Sequence, residues 1–282
     1  MLKYKKYIKE VYALEKLIVL GTGWAMSEKL FNTSFILENE KKEKLLVDTG
    51  GGNGILSRLE DANVDLGEIH HLFITHKHTD HILGILWIIR KLEFNYIRRG
   101  KYEGKLTIYC HSELEEIIRG LCKLTLKQRF IDLLDDVIVF RNVKDKEIVN
   151  VNGYDLKIID IHGKTTLQYG FKTTLNNGKS FIFLGDETLK EEVYDEVRDV
   201  DYMCHDADCI GDDEEKYTPE KFSHTTSKKA AQFAEMLNVK NLILWHTKDF
   251  DLKNRQKKFT DDAKKYFKGN VIVPNDLDII EL

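Results

Sequence analysis

Three of the chain's ten histidines, His76, His78 and His81, fall within six positions of one another, with Asp80 among them, in the stretch FITHKHTDHILGIL (residues 73–86). Imidazoles at this density serve packing badly and a cation well. Neutral imidazole nitrogen with carboxylate oxygen suits Zn²⁺, with Mn²⁺ or Fe²⁺ as alternatives. The apolar run before the cluster reads as a buried strand, and the run over 82–91 as a helix. The cluster is therefore a loop at a strand's C-terminal end, running into a first helical turn. In an extended loop His76 and His78 project to one side, while Asp80 and His81 enter the turn at another angle. One cation is available to the first pair and a second to the other. Four ligands do not close two sites. His162 after LKIIDI, Asp186 after SFIFLG and His246 after NLILW each stand directly behind a strand-like run, where loops build sites on a rigid scaffold. Singly, each has a plainer role: a surface histidine, a helix cap, a rim histidine. Together with the cluster they make a candidate ligand set.

The elements that must position these residues are short. Strand-like runs recur at 17–20, 34–37, 44–47, 71–74, 106–110, 137–140, 156–159, 170–174, 181–184, 202–205 and 242–245, rich in β-branched residues and bounded by Gly, Asn or Asp. Helical periodicity appears at 82–91, 112–122, 189–197, 227–237 and 256–267. Early strands follow one another in hairpin-like order and later ones alternate with helices, a pattern that suits two mixed sheets flanked by helices. With only two prolines and no Ser/Gly-rich linker, residues 1–282 read as one domain, with 1–15 as an N-terminal extension.

Composition narrows the function classes. A formal charge of −4 argues against coating nucleic acid by bulk electrostatics. The four cysteines, Cys110, Cys122, Cys204 and Cys209, lack CxxC spacing and read as buried free thiols. The longest apolar run, 82–89, is too short to span a bilayer, and the opening residues carry no secretory pattern. The expected compartment is the cytoplasm, with no membrane partner.

With these residues in place, the chain resembles the metallo-β-lactamase superfamily. THKHTDH (75–81) matches its HxHxDH signature, and the order of the later His, Asp and His matches as well. Further motifs resemble the ribonuclease Z-like branch: LGTGWAMSEKLFNTSF (20–35), LLVDTGGG (45–52), HGKTTLQYGFK (162–172), FLGDET (183–188), CHDAD (204–208) and HTTSKKAAQFA (224–234). The resemblance implies an α/β (α+β) fold, the four-layer αββα sandwich. By motif, His76, His78 and His162 would hold a first metal and Asp80, His81 and His246 a second, with Asp186 bridging. It also implies catalytic roles for Asp80, for His224, and for Asp206, which stands where the branch has glutamate. A homodimer is expected from the resemblance alone.

Two cations about 3.5–4 Å apart share a water and lower its pKa to about 7, giving a metal-bridging hydroxide that can attack phosphorus or a carbonyl carbon. Asp80 would orient it and accept its proton. His224, its tautomer fixed by Asp206, would protonate the departing alkoxide, or would merely cap the helix at 227, a task open to Thr225 or Thr226 as well. The expected activity is therefore a dinuclear zinc-dependent phosphodiesterase or ribonuclease Z-like nuclease. Members of the branch that process tRNA carry a long Gly/Pro-containing arm between the third histidine and the bridging aspartate. Here only a strand, an NNGK turn (176–179) and a strand intervene, so a cyclic nucleotide or short oligonucleotide competes with tRNA as the substrate. The run RKLEFNYIRRGKYEGK (90–105), basic and aromatic, would suit phosphates and bases, although a solvated helix end explains it too. The acidic DADCIGDDEE (206–215) would repel a large polyanion. Two other readings remain: a carboxylic-ester, lactone or thioester hydrolase on the same fold, and a non-catalytic metal-binding protein.

Overall fold

The computed structural model describes residues 14–282, so nearly all of the expected extension (1–15) lies outside the described residues. Residue 15 belongs to the body: the buried Glu15 carboxylate accepts hydrogen bonds from Tyr154 Oη (2.5 Å) and from the backbone N–H groups of Asn176 (3.0 Å) and Asn177 (3.3 Å).

Fourteen strands are present among these residues: β1 (Lys16–Gly21), β2 (Ser34–Glu38), β3 (Lys44–Val47), β4 (Ile69–Phe73), β5 (Leu106–Cys110), β6 (Ile138–Asn142), β7 (Ile148–Val151), β8 (Tyr154–Asp160), β9 (Tyr169–Thr174), β10 (Ser180–Phe183), β11 (Tyr202–Asp206), β12 (Asn241–Trp245), β13 (Asn270–Ile272) and β14 (Ile279–Glu281). They form two seven-stranded mixed sheets, ordered β14-β1-β2-β3-β4-β5-β6 and β13-β12-β11-β10-β9-β8-β7. The first is parallel from β3 to β6 and the second from β10 to β13. Each of the eleven expected strand runs overlaps an observed strand. The three not foreseen, β7, β13 and β14, are edge or near-edge strands of three or four residues, too short for periodicity to register.

Alternation within single strands builds the layers. Leu17, Val19, Phe35, Leu37, Leu45 and Val47 face Phe171, Phe181, Phe183, Ile243 and Trp245 across the space between the sheets. The intervening Ile18, Leu20, Ile36 and Leu46 turn outward against helices such as Ile85–Leu92 and Ser112–Thr125. On the other sheet Ile182, Met203, Leu242 and Leu244 turn outward against helices Ser227–Met236 and Arg255–Lys264. Because both faces of each sheet are covered, the period-2 pattern of a half-exposed strand disappears and the strands read as apolar runs. The result is the expected αββα sandwich. No helix among the described residues is long and apolar enough to cross a membrane.

Local differences from expectation have identifiable causes. The helix expected over 82–91 is two pieces, Thr79–Ile82 and Ile85–Leu92. Gly84 lies at the break, where a Cβ would meet the Thr49 carbonyl oxygen at 2.0 Å, so this close approach requires glycine. The expected 189–197 helix is only a short turn and one helical turn, Tyr194–Val197. The helix at Ser227–Met236 is capped by Thr226, whose side chain accepts from Lys229 N–H (3.2 Å), so the cap does not need His224.

Phe35 sits at the centre of the inter-sheet core, stacked on Trp245 (centroids 4.9 Å apart) and edge-on to Phe183 (5.0 Å). Phe35→Ala is expected to destabilise the domain by about 3–5 kcal/mol, read as a lowered urea midpoint with an unchanged slope.

Candidate metal centre

The parallel strands deliver the chemistry to one edge. Asp186 follows β10, Asp206 ends β11 and His246 follows β12, three parallel neighbours in register. The cluster from His76 to His81 follows β4 in the facing sheet. Residues far apart in sequence therefore meet where the two sheets end.

The loop is held by Asp48, a residue with no role in the expected ligand set. Asp48, just past β3 with φ 55°, accepts from Thr75 N–H (2.9 Å) and Thr75 Oγ1 (2.9 Å to Oδ2), and its Oδ2 lies 2.7 Å from His81 Nδ1. Thr49 N–H and Oγ1 both donate to the His81 carbonyl at 2.8 Å. Asp48 thereby fixes the His81 tautomer with Nε2 free to face the site. The motif 45–52 carried this signal as a carboxylate directly behind a strand.

Two groups of candidate ligand atoms share Asp186. In the first, His76 Nε2 lies 2.8 Å from His78 Nδ1 and 3.7 Å from Asp186 Oδ1. In the second, His81 Nε2 is 3.2 Å from Asp80 Oδ2 and 3.3 Å from Asp186 Oδ2, and His246 Nε2 is 3.5 Å from each. All of these side chains are buried except His78, which is exposed. A third group lies behind the second: Asp206 Oδ1 approaches His246 Nδ1 at 3.2 Å and His224 Nδ1 at 3.5 Å, while Asp206 Oδ2 accepts from Thr225 N–H at 2.8 Å. The His224 and His246 rings stack at 5.0 Å, with His224 on the solvent side.

His162 stands apart from these groups. It is exposed, with φ 55°, and its N–H donates to Asp160 Oδ1 at 2.8 Å. Gln168 fills the adjoining space, its side-chain amide contacting both Asp186 Oδ1 and His76 Nδ1 (3.1 Å to the latter). No cysteine enters any group among the described residues; all four are buried free thiols.

The donor set fits a cation. Buried ring nitrogens normally have partners, yet His81 Nε2 and His246 Nε2 have no hydrogen-bond partner among the described residues and converge on the oxygens of Asp80 and Asp186. Charge tells the same story. Burial works against ionised Asp80 and Asp186, but the surrounding imidazoles outweigh it and hold both carboxyls well below the usual carboxylate range. Burial also opposes a charged His246, but Asp206, Asp80 and Asp186 push it up to about 10. Without a metal, protons on buried imidazoles neutralise the carboxylates, and a bound cation would displace them. His76, by contrast, is driven well below its ordinary value by burial and is ready as a neutral ligand.

The basic run does not border this centre. Tyr102 Oη donates to the Ile69 carbonyl (2.7 Å) at the start of β4, whereas the ligands follow its end, and Lys101 and Lys105 line a separate cavity with Lys44 and His71. The acidic stretch is partly internal: Asp206 is fully buried and Asp208 pairs with Lys248 (2.5 Å).

Comparison with known proteins agrees with this architecture. The chain belongs to the family described as Anti-Pycsar protein Apyc1, whose model matches residues 15–265. It is 25% identical to a ribonuclease Z of Methanosarcina mazei over 95% of this chain and 98% of that protein, and 26% identical to one of Lactobacillus helveticus over 93% and 96%. Among solved structures, the metallo-β-lactamase fold protein YhfI of Bacillus subtilis superposes with a TM-score of 0.75 (18% identity, 96% of this chain and 100% of that one). Human tRNase Z, short form, gives 0.71 (19%, 94% and 98%). The chain has the metallo-β-lactamase fold and is a metal-dependent hydrolase.

Asp48→Asn keeps the shape of the loop but removes the carboxylate from His81. Metal affinity, measured by competition with a chelating dye, is expected to fall roughly 10- to 100-fold while circular dichroism is unchanged.

Proposed function

We propose that this family member is a phosphodiesterase that works with two divalent ions, zinc foremost with manganese or iron as substitutes, on a small phosphodiester such as a cyclic nucleotide or a short oligonucleotide. The observation that carries the reading is the convergence of two ligand groups on Asp186 with the His224–Asp206 pair at their rim. His76 and His78 would hold one ion, Asp80, His81 and His246 the other, and Asp186 both. His162, assigned to the first ion by motif, would have to turn in from its exposed position to join them.

When bound, the ions supply Lewis-acid charge for the phosphoryl oxygens and acidify water. Asp80, its carboxyl kept ionised by His81 and His246, presents an oxygen that can accept a hydrogen bond from the attacking water and align it. His224 is partly open to solvent and lies against a buried carboxylate. Burial disfavours its charge, but Asp206 outweighs this and raises its pKa, so it carries a proton to give to a departing alkoxide. Asp206 acts through His224 and is a positioning residue, its own orientation set by Thr225 N–H.

The preference for a small diester is supported by β9 and β10. They join through a tight turn in which Leu175 N–H donates to the Lys179 carbonyl (2.8 Å), leaving no arm between His162 and Asp186 to grip a folded RNA. The ester, lactone and thioester reading uses the same ions. A thioester would leave the His224–Asp206 pair only a weakly basic thiolate to protonate, whereas an ester or lactone releases an alkoxide as a phosphodiester does, so turnover of a diester decides between them. The resemblance supports a homodimer, and the four buried free thiols suit a reducing compartment, the cytoplasm.

Turnover of bis(p-nitrophenyl) phosphate, lost on chelation and restored by zinc, is the expected outcome; hydrolysis of lactones or thioesters alone would reject the assignment. Asp80→Ala is expected to abolish diester turnover without unfolding the protein. On a diester with an alkoxide leaving group, such as a cyclic nucleotide, His224→Ala should lower kcat about 10²- to 10⁴-fold with metal content intact and with bis(p-nitrophenyl) phosphate, whose leaving group needs no proton, much less affected; an unchanged kcat on the alkoxide substrate would remove His224 from the chemistry.

A further inference from the structure

A second pocket opens beside the metal centre, on the same rim. It has a volume of about 260 Å³, and its walls come from segments that continue directly from site residues: Cys209 and Ile210 shortly after Asp206, Lys248 and Phe250 shortly after His246. Neither the proposed ligands nor His224 line it.

Its chemistry is two-sided. On one side stand two aromatic rings, Phe250, 58% exposed, and Tyr217, 5.6 Å apart between centroids; Trp24, which does not line the pocket, packs edge-on to Phe250 at 5.9 Å. The ammonium groups of Lys216 and Lys248 lie over the Tyr217 ring at 4.5 and 5.3 Å from its centroid, so cations and an open aromatic face, that of Phe250, stand side by side. The other side is cationic, with Lys216, Lys248, Arg255 and Lys258 against Asp213 and Asp251. Lys248 and Lys258 are occupied by Asp208 (2.5 Å) and Asp251 (2.6 Å). Arg255 is different. It is only 2% exposed, its guanidinium bonds are to the neutral oxygens of Thr247, Pro274 and Asn275, and its buried Nε has no partner among the described residues. Carboxylates of Asp276, Asp278 and Asp249 act on it only at a distance. A buried cation without a contacting carboxylate leaves a demand for negative charge.

We propose that this pocket binds a nucleoside monophosphate, with the base against Phe250 and Tyr217 and the phosphate toward Arg255 and Lys216. The pocket is smaller than the roughly 300–1,000 Å³ that hold a drug-sized ligand, so it takes one such unit and no more. Aromatic faces accept any base by stacking, and cations accept the phosphate. The choice of a nucleotide over other aromatic anions rests on the phosphodiesterase reading above, because opening a cyclic nucleotide or trimming an oligonucleotide releases a monophosphate at this rim.

The test uses the full-length, metal-loaded protein. Adenosine monophosphate, adenosine and inorganic phosphate are titrated by calorimetry and by tryptophan fluorescence, with Trp24→Phe identifying the ring that reports. Saturable binding of the monophosphate, at least about tenfold tighter than either fragment, is expected. Phe250→Ala and Lys216→Ala should each weaken it at least about fivefold and leave bis(p-nitrophenyl) phosphate turnover unchanged. Phosphate binding as tightly as the monophosphate would reduce the pocket to an anion site and overturn the proposal, as would monophosphate binding indifferent to both substitutions. Absence of binding in a protein that still turns over the diester refutes the pocket alone; binding without turnover refutes the phosphodiesterase reading alone.

Discussion

Two carboxylates, Asp80 and Asp186, are buried within 3.5 Å of two buried imidazoles whose facing nitrogens have no hydrogen-bond partner among the described residues. Charge cannot be stored this way in a protein interior without a counter-charge, because desolvation of an unpaired ion costs several kcal/mol. Protonated histidines meet the need in isolation and a shared cation meets it better. Much else follows from satisfying this one constraint. The strands are cut so that each ligand emerges at the same edge, Asp48 is held in a left-handed conformation so that it can face His81, and the strained backbone of His246 (φ 55°) is tolerated at a site rather than in the core.

The sandwich is the means of making that edge. Both sheets bury both faces, so the scaffold is stiff enough for loops to carry the site. The outer helices contribute less chemistry than position. Capping of Ser227–Met236 by Thr226 leaves His224, two residues earlier, free to face the metal centre, and the bond from Arg255 to Thr247 (2.9 Å) steadies the residue after His246.

Most of this is legible in the sequence because its signals are local. The spacing of His76, His78, Asp80 and His81 is visible within six positions, and apolar runs behind Asp186 and His246 mark strand ends without any knowledge of which strands pair. What is not legible there depends on pairing across the fold. Asp48 is an ordinary aspartate until β3 is placed beside β4. Gln168 is an ordinary glutamine until β9 brings it against His76 and Asp186. His162 illustrates the reverse: motif order assigns it to the centre, whereas its loop, in a left-handed turn at the end of β8, holds it at the surface. Of the two readings open for the basic run 90–105, the solvated helix end fits its place, because the metal-loop helix carries the chain back to the end of β4 opposite the ligands.

The chemistry of this edge depends on metal ions occupying the two groups that share Asp186. Anomalous scattering from crystals of the protein, recorded on both sides of the zinc edge, addresses it without reference to any substrate. Two peaks are expected, one beside His76 and His78 and one among Asp80, His81 and His246, both touching Asp186. An ordered, fully folded site showing no peak after growth in excess zinc would contradict it.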